Sequence, residues 1–428
     1  MLASAINGKI SISDAIRAIE LGELSATQLT QACIERIQER DPVVHAFVAH
    51  DPALALRYAN EVDAGVRRGY LSGIPFAVKD NIDSVDYPTG YGSPIYTHQK
   101  SGRDAACLAK SREQGGVLIG KVATSEFATQ TPGSTRNPLS LEHTPGGSSS
   151  GSAAAVADGM VMAAWGTQTT GSITRPAVYC GIVGYKPSFG LISTSGVCAL
   201  SPLQDTVGVL ARTVEDAAHA VFGLHGKRVN LQEPSRPLRL GLCESSQWDY
   251  AHPDTLDALH RLLSRASVSG AKVDALSLPK EFEEVLASQS KIVAYEARHS
   301  LAHEYTHHFE KLSRRLVDRL ESDRDMTVDD YIASCKRVVR ARLSVDELLG
   351  DFDALVYPAT EGEPEKSLAE SGSPRFGALW TLLHLPTVAF PSGRGRQGLP
   401  LGIQLIGRFG NDIELLQIAQ IVKEWSEY

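Results

Sequence analysis

The chain has no surplus of positive charge: 42 Lys and Arg stand against 50 Asp and Glu across 428 residues, a formal net charge of −8. Nucleic acid and anionic membrane surfaces are therefore excluded as principal partners, because both are held by clustered cations. Nor is there an uninterrupted run of about 18 apolar residues, the minimum for a membrane-spanning helix; Asp158 breaks the longest candidate. Met1 to Lys9 has no basic segment leading into an apolar one, so no secretory signal is expected. Cys33, Cys107, Cys180, Cys198, Cys243 and Cys335 are scattered, with neither a close pair nor metal spacing, and point to reduced thiols in the cytoplasm. A Pro/Gly/Ser-rich linker and a block of like charge are also missing. With 43% apolar residues, the expectation is a single large α/β domain over residues 1–428.

Alternating strand and helix patterns predict a central mixed β-sheet covered by helices on both faces. Ser25-Ala-Thr-Gln28 reads as a capping box that opens a helix with Leu29, Cys33, Ile34 and Ile37 on one face. A strand at 43–48, a helix at 52–68, a short half-buried strand ending at Lys79, a helix at 104–114 and a strand at 117–119 follow. Further strands are expected at 238–242, 272–276, 354–357, 387–390 and 402–406, and a last helix at 412–425. Residues 281–349 read as two or three long charged helices that cap one side of a pocket.

Two loops rich in glycine and hydroxyl groups dominate the middle of the chain: Pro145-Gly-Gly-Ser148-Ser149-Ser150-Gly151-Ser152 and Gly166-Thr-Gln168-Thr-Thr-Gly171-Ser172-Ile-Thr-Arg175-Pro176. Ser148 opens a helix and Ser172 follows a strand. A helix packed back on its strand returns the chain to its starting edge, so the two serines can be neighbours. Neither loop contains histidine, which leaves a Ser-His-Asp triad without an obvious base. Upstream, Pro75-Phe-Ala-Val-Lys79-Asp-Asn81 ends a strand on a lysine. Loss of hydration lowers such a lysine's pKa from about 10.4 and lets it accept a proton.

These residues resemble the amidase signature family, and the resemblance extends through Gly120-Lys-Val-Ala-Thr124-Ser-Glu126-Phe127-Ala128, Asn137-Pro138, Leu203-Gln-Asp205-Thr206-Val-Gly208 and Gly398-Leu399-Pro400-Leu-Gly402-Ile-Gln404. It implies a Ser-cisSer-Lys triad of Ser172, Ser148 and Lys79, with a cis peptide before Ser148 and no cofactor. Ser172 would attack an amide carbonyl while Ser148 relays its proton to neutral Lys79 and returns it to the leaving amine. Backbone N–H groups of Thr169, Thr170, Gly171 and Ser172 would form the oxyanion hole, with Ser149 and Thr167 in support. Within the family the chain looks most like bacterial malonamidases, which share Gln168 and the arginine at Arg175. The similarity continues through His45-Ala-Phe-Val, Ser371-Gly-Ser-Pro374-Arg375-Phe, Trp380-Thr-Leu-Leu and Arg408-Phe-Gly-Asn411-Asp412. Thr170 replaces a glycine in the oxyanion loop and His384 one near the pocket. A homodimer is also implied.

The expected reaction is hydrolysis of a small primary amide of the malonamate or malonamide type to acid and ammonia. Arg175 either pairs structurally with a carboxylate such as Asp205 or forks onto a substrate carboxylate. Two rivals keep the triad: an aryl or arylacetyl amidase with Trp165, Tyr179, Phe376 and Trp380 around the pocket, and the amidase subunit of a tRNA amidotransferase. The second uses Asp and Arg where this chain has Gln168 and Thr174, and requires a partner. A phosphate cradle at Gly146-Gly-Ser-Ser-Ser-Gly151 is disfavoured because the loop lacks the terminal Lys-Ser/Thr of a P-loop. His303-Glu304-Tyr-Thr-His307 matches a zinc-protease pattern, but no third ligand stands out, and a solvated helix face with no metal is expected.

Overall fold

A computed structural model, which describes residues 10–232, 234 and 236–428, gathers the strands into one mixed 11-stranded sheet. The stretch 1–9 considered above lies outside the described residues. In chain order the strands are β1 (Phe47–His50), β2 (Pro75–Lys79), β3 (Val117–Val122), β4 (Ala163–Gln168), β5 (Val183–Lys186), β6 (Thr206–Ala211), β7 (Arg239–Glu244), β8 (Lys272–Ser277), β9 (Ala354–Pro358), β10 (Thr387–Arg394) and β11 (Pro400–Ile406). Across the sheet the order is β1-β3-β2-β4-β6-β5-β10-β11-β9-β7-β8. Pairing is parallel for β3-β2-β4 and β9-β7-β8 and antiparallel elsewhere.

Alternate residues of a strand serve opposite cores, as the two-residue period requires. Phe76, Val78, Ala163 and Trp165 enter one core, with the helices Ile12–Glu20, Val214–Gly223 and Asp412–Glu424, whereas Ala77 and Ala164 face another. At the other end Leu355, Tyr357 and Ile406 pack against the helices Lys280–Ser300, Val328–Leu343 and Ala378–Leu382. All five residues of β2 are buried, so the expected half-buried strand is corrected: both its faces are covered, which deepens the desolvation of Lys79.

The strand expected at 43–48 begins only at Phe47, because the preceding helix runs on to Val44. His45 then turns left-handed at φ 54°, and the Asp41 carboxylate accepts from the N–H groups of Ala46 at 2.6 Å and Phe47 at 3.2 Å, fixing the turn. In place of two or three long helices, the segment 281–349 forms five, Lys280–Ser300, Ala302–His307, Arg314–Glu321, Val328–Leu343 and Val345–Leu349, of which the first and fourth are long. No helix among the described residues is long and apolar enough to cross a membrane.

Candidate active site

Parallel pairing of β2 with β4 sets Val78 opposite Trp165, so both strands release their last residues at the same edge. Lys79 is fully buried there, with Nζ 2.7 Å from Ser148 Oγ and 2.8 Å from Thr167 Oγ1. Asn81 Nδ2 donates to Thr167 Oγ1 at 3.0 Å. Ser148 follows a cis Gly147–Ser148 peptide and leads into the helix Ser150–Ala157, whose small residues let it lie close to the sheet. A side chain at Gly151 would collide with the backbone of Ala123 and Ala46. Ser149 Oγ donates to the Thr167 carbonyl at 3.2 Å, joining the two loops. Burial holds the Lys79 pKa well below the ordinary lysine value; nearby Asp205 opposes that shift and Arg175 adds to it.

Ser172 lies across the second loop and, unlike Lys79 and Ser148, lines a cavity of about 390 Å³. Its Oγ makes no hydrogen bond to Ser148; the direct link is Ser149 N–H to the Ser172 carbonyl at 3.3 Å. The backbone N–H groups of Thr170, Gly171 and Ser172 find no acceptor among the described residues. Thr170 does not have positive φ, so its replacement of glycine carries no backbone conflict, and its Oγ1 accepts from Gln289 Nε2 at 3.1 Å. Gln168 organises the turn: Oε1 accepts from the N–H groups of Ile173 at 2.8 Å and Thr174 at 3.1 Å, at the start of the short helix Thr174–Tyr179.

Arg175 is 2% exposed and lines the same cavity. Its Nη2 donates to the Gly147 carbonyl, while Nε and Nη1 have no partner. Burial lowers its pKa to about 10. The pairing with Asp205 expected as one alternative is not formed. Asp205 accepts instead from Thr169 Oγ1 at 2.5 Å and from the N–H groups of Leu200 at 2.7 Å and Ser201 at 2.9 Å, and burial raises its pKa to about 6.

Sequence reasoning misplaces several side chains. Trp165, Tyr179, Phe376 and Trp380 do not line the cavity. Trp165 donates to Ser111 Oγ at 2.9 Å inside one core, and Phe376 and Trp380 pack edge-on to Tyr357 in another. His384 is also absent from the lining: it adopts φ 68°, stacks on Phe189 with ring centroids 3.8 Å apart, and lies 2.7 Å through Nε2 from the Leu203 carbonyl. His303 and His307 are exposed on their helix, and Glu304 accepts from Tyr96 Oη at 2.6 Å. Asn81, Gln289 and Arg319 escape a reading of the sequence alone. Asn81 has a signal in its place two residues after Lys79, but the other two come from the remote covering helices.

The family model described as Amidase matches residues 28–416. The glutamyl-tRNA(Gln) amidotransferase A-subunit of Thermosynechococcus vestitus is 30% identical over 464 residues, covering 95% of this chain and 96% of the relative. The protein of the same name from Salinibacter ruber is 36% identical over 316 residues, covering 68% of this chain and 61% of the relative. Among solved structures, a crystal structure of an amidase superposes with a TM-score of 0.87 at 28% identity, covering 97% of this chain and 100% of that one. The native peptide amidase of Stenotrophomonas maltophilia gives 0.79 at 27% identity, covering 98% and 97%.

Proposed function

This chain belongs to the amidase family, and we propose that it hydrolyses a small carboxylate-bearing primary amide to the acid and ammonia. Malonamate is the smallest substrate of that class. Ser172, the one triad member lining the cavity, attacks the carbonyl; Ser148 takes its proton as Lys79 takes that of Ser148. The unpartnered N–H groups of the 169–172 loop support an oxyanion hole there. The proton returns through Ser148 to the departing ammonia, and water releases the acid from Ser172. The relay requires Ser148 and Ser172 to close their contact when substrate binds, as catalytic hydrogen bonds commonly do.

The observation that carries the substrate class is Arg175, a buried guanidinium facing the cavity with Nε and Nη1 unpartnered. Unmet buried donors are costly, and a substrate carboxylate at the end of the guanidinium pairs with Nη1 and with the N–H of Nη2 that Gly147 leaves free. The second reading, the amidase subunit of a tRNA amidotransferase, is favoured by the relatives that carry that name. Against it, no Asp or Glu lines the cavity among the described residues to receive the ammonium of glutamine. Ammonia release from malonamate, malonamide, phenylacetamide, indole-3-acetamide and glutamine decides between them. Malonamate should be fastest; preference for glutamine transfers the chain to the second reading, and preference for the aromatic amides to an aryl amidase.

A homodimer in the cytoplasm goes with this proposal. Exposed Val328, Ile332, Val339 and Leu343 run along one face of the helix Val328–Leu343, and their spacing reads the same in both directions. A two-fold axis at the helix centre sets Val328 against Leu343 and Ile332 against Val339 of a second copy, and acidic Asp329 near basic Arg340. Sedimentation should find a dimer that Ile332→Glu with Val339→Glu converts to monomer; a wild-type monomer removes the dimer from the proposal.

A further inference from the structure

The cavity is lined by four arginines and, among the described residues, by no carboxylate. Two of the four are neutralised from outside it: Arg315 pairs with Glu370, and Arg375 pairs with Glu361 at 2.5 Å while lying over the Tyr250 ring. Arg175 awaits a substrate carboxylate in the reading above. The fourth, Arg319, projects from the helix Arg314–Glu321 on the covering side. It is partly buried, its side chain donates no hydrogen bond, and no carboxylate lies within 4.0 Å of it among the described residues. Burial lowers its pKa, and Asp323 opposes that shift without reversing it. Apolar Leu286 and Val293 of the helix Lys280–Ser300 line the same cavity. The space is also generous: about 390 Å³ falls within the range of about 300–1,000 Å³ that holds drug-sized ligands, far more than a three-carbon amide fills.

We infer that Arg319 is a second anion-recognition residue, and that the preferred substrate is an aliphatic primary amide bearing two carboxylates, one held by Arg175 and the other by Arg319. The inference rests on the amidase reading and narrows it. An uncompensated guanidinium inside a cleft is stabilised by a carboxylate in the two-pronged contact its planar fork allows. The same pair of charges disfavours neutral and zwitterionic amides, so one feature supplies both attraction and rejection.

The monoamide of propane-1,2,3-tricarboxylic acid serves as the two-carboxylate probe and malonamate as the one-carboxylate probe. Wild-type enzyme should show kcat/KM at least tenfold higher for the former, and Arg319→Gln should reduce that ratio tenfold or more, mainly through KM. An unchanged ratio, or equal loss on both amides, overturns the inference. Calorimetry separates this from failure of the amidase reading. If wild-type enzyme hydrolyses no amide, propane-1,2,3-tricarboxylate should still bind Ser172→Ala tenfold tighter than it binds Ser172→Ala with Arg319→Gln; equal affinities sink the site. Should Arg319→Gln fail to fold, wild-type protein alone decides: propane-1,2,3-tricarboxylate must bind at least tenfold tighter than malonate, and equal binding rejects the second subsite.

Discussion

The two walls of the cavity are built on different principles. Behind the sheet-side lining, Lys79, Ser148 and Gln168 are fully buried, and groups at strand ends and in the glycine-rich loop fix one another through contacts such as Lys79–Ser148 at 2.7 Å and Lys79–Thr167 at 2.8 Å. On the helical side, Leu286, Gln289 and Val293 of the helix Lys280–Ser300 and Arg315 and Arg319 of the helix Arg314–Glu321 line the cavity directly. Proton relay needs groups held to within about half an ångström, which strand ends and small-residue helices supply. Choice of acyl group needs only a cleft of the right charge and size, and long side chains on packed helices can change that without moving the sheet. The proposed chemistry and specificity are thus separated by wall, except at Arg175, a specificity group on the chemical side.

The largest break in this comparison comes from Ser172→Ala. If the sheet wall carries the chemistry, kcat should fall by at least about 10⁴-fold, as loss of a hydrolase nucleophile does, while binding of a carboxylate product persists. Lys79→Ala should be comparably damaging. Mass spectrometry after quenching a slow substrate should find the acyl group on the peptide containing Ser172; an adduct on Ser148 reverses the roles assigned to the serines.

That asymmetry also explains what is legible in the sequence. Lys79, Ser148, Ser172 and Arg175 stand in compact motifs whose local order survives in the fold: Lys79 ends a strand, Ser148 joins a glycine turn to a helix, and Ser172 and Arg175 follow a strand into a short helix. The covering helices are recognisable as charged, but which side chains they turn inward depends on docking against elements over a hundred residues away, as with Gln289 and Thr170 at |i−j| = 119. The four aromatic residues expected in the pocket fail for a related reason: apolar character marks burial, and Trp165, Phe376 and Trp380 are buried in cores. Strands β5 and β6 escape pattern reading because both are buried, glycine-containing segments without polar alternation.

Arg175 tests whether specificity crosses to the sheet wall. Arg175→Leu should lower kcat/KM for malonamate tenfold to over a hundredfold more than for malonamide, since charge-assisted hydrogen bonds contribute about 1.5–3 kcal/mol each. Arg175→Lys should recover little, because an ammonium lacks the forked geometry. Equal losses on both amides would mean that Arg175 only holds the Gly147 carbonyl.

A smaller effect sharpens the electrostatics of the same wall. The acidic limb of kcat/KM should report protonation of Lys79, with activity rising with pH as the depressed lysine becomes neutral. Asp205, itself raised to about 6, is ionised above that pH and favours the charged lysine. Asp205→Asn should therefore move the acidic limb to lower pH, with the amide oxygen still accepting from the Leu200 and Ser201 N–H groups and the amide nitrogen donating to Thr169 Oγ1. A limb that stays in place separates Asp205 from the base.

The smallest effect concerns stability and lies away from both walls. His384 is held neutral, its pKa lowered to about 4 from an ordinary 6.5, chiefly by burial and further by Arg342 and Lys186. An unfolded chain binds a proton there as pH falls through about 6.5, whereas the folded chain does so only near 4. Stability from this group is therefore complete above about 6.5 and declines continuously down to about 4. Asn tolerates the left-handed backbone at φ 68° and does not titrate in that window, so His384→Asn should flatten the pH dependence of Tm between these limits. It should also lower Tm slightly at pH 8, where the Phe189 stack and the Leu203 contact are lost without a compensating charge effect. Malonamate kinetics should stay near wild type at pH 8, because His384 does not line the cavity. A selective change in kcat/KM there would return His384 to the pocket, and parallel Tm curves would show that its ionisation is not what acid attacks.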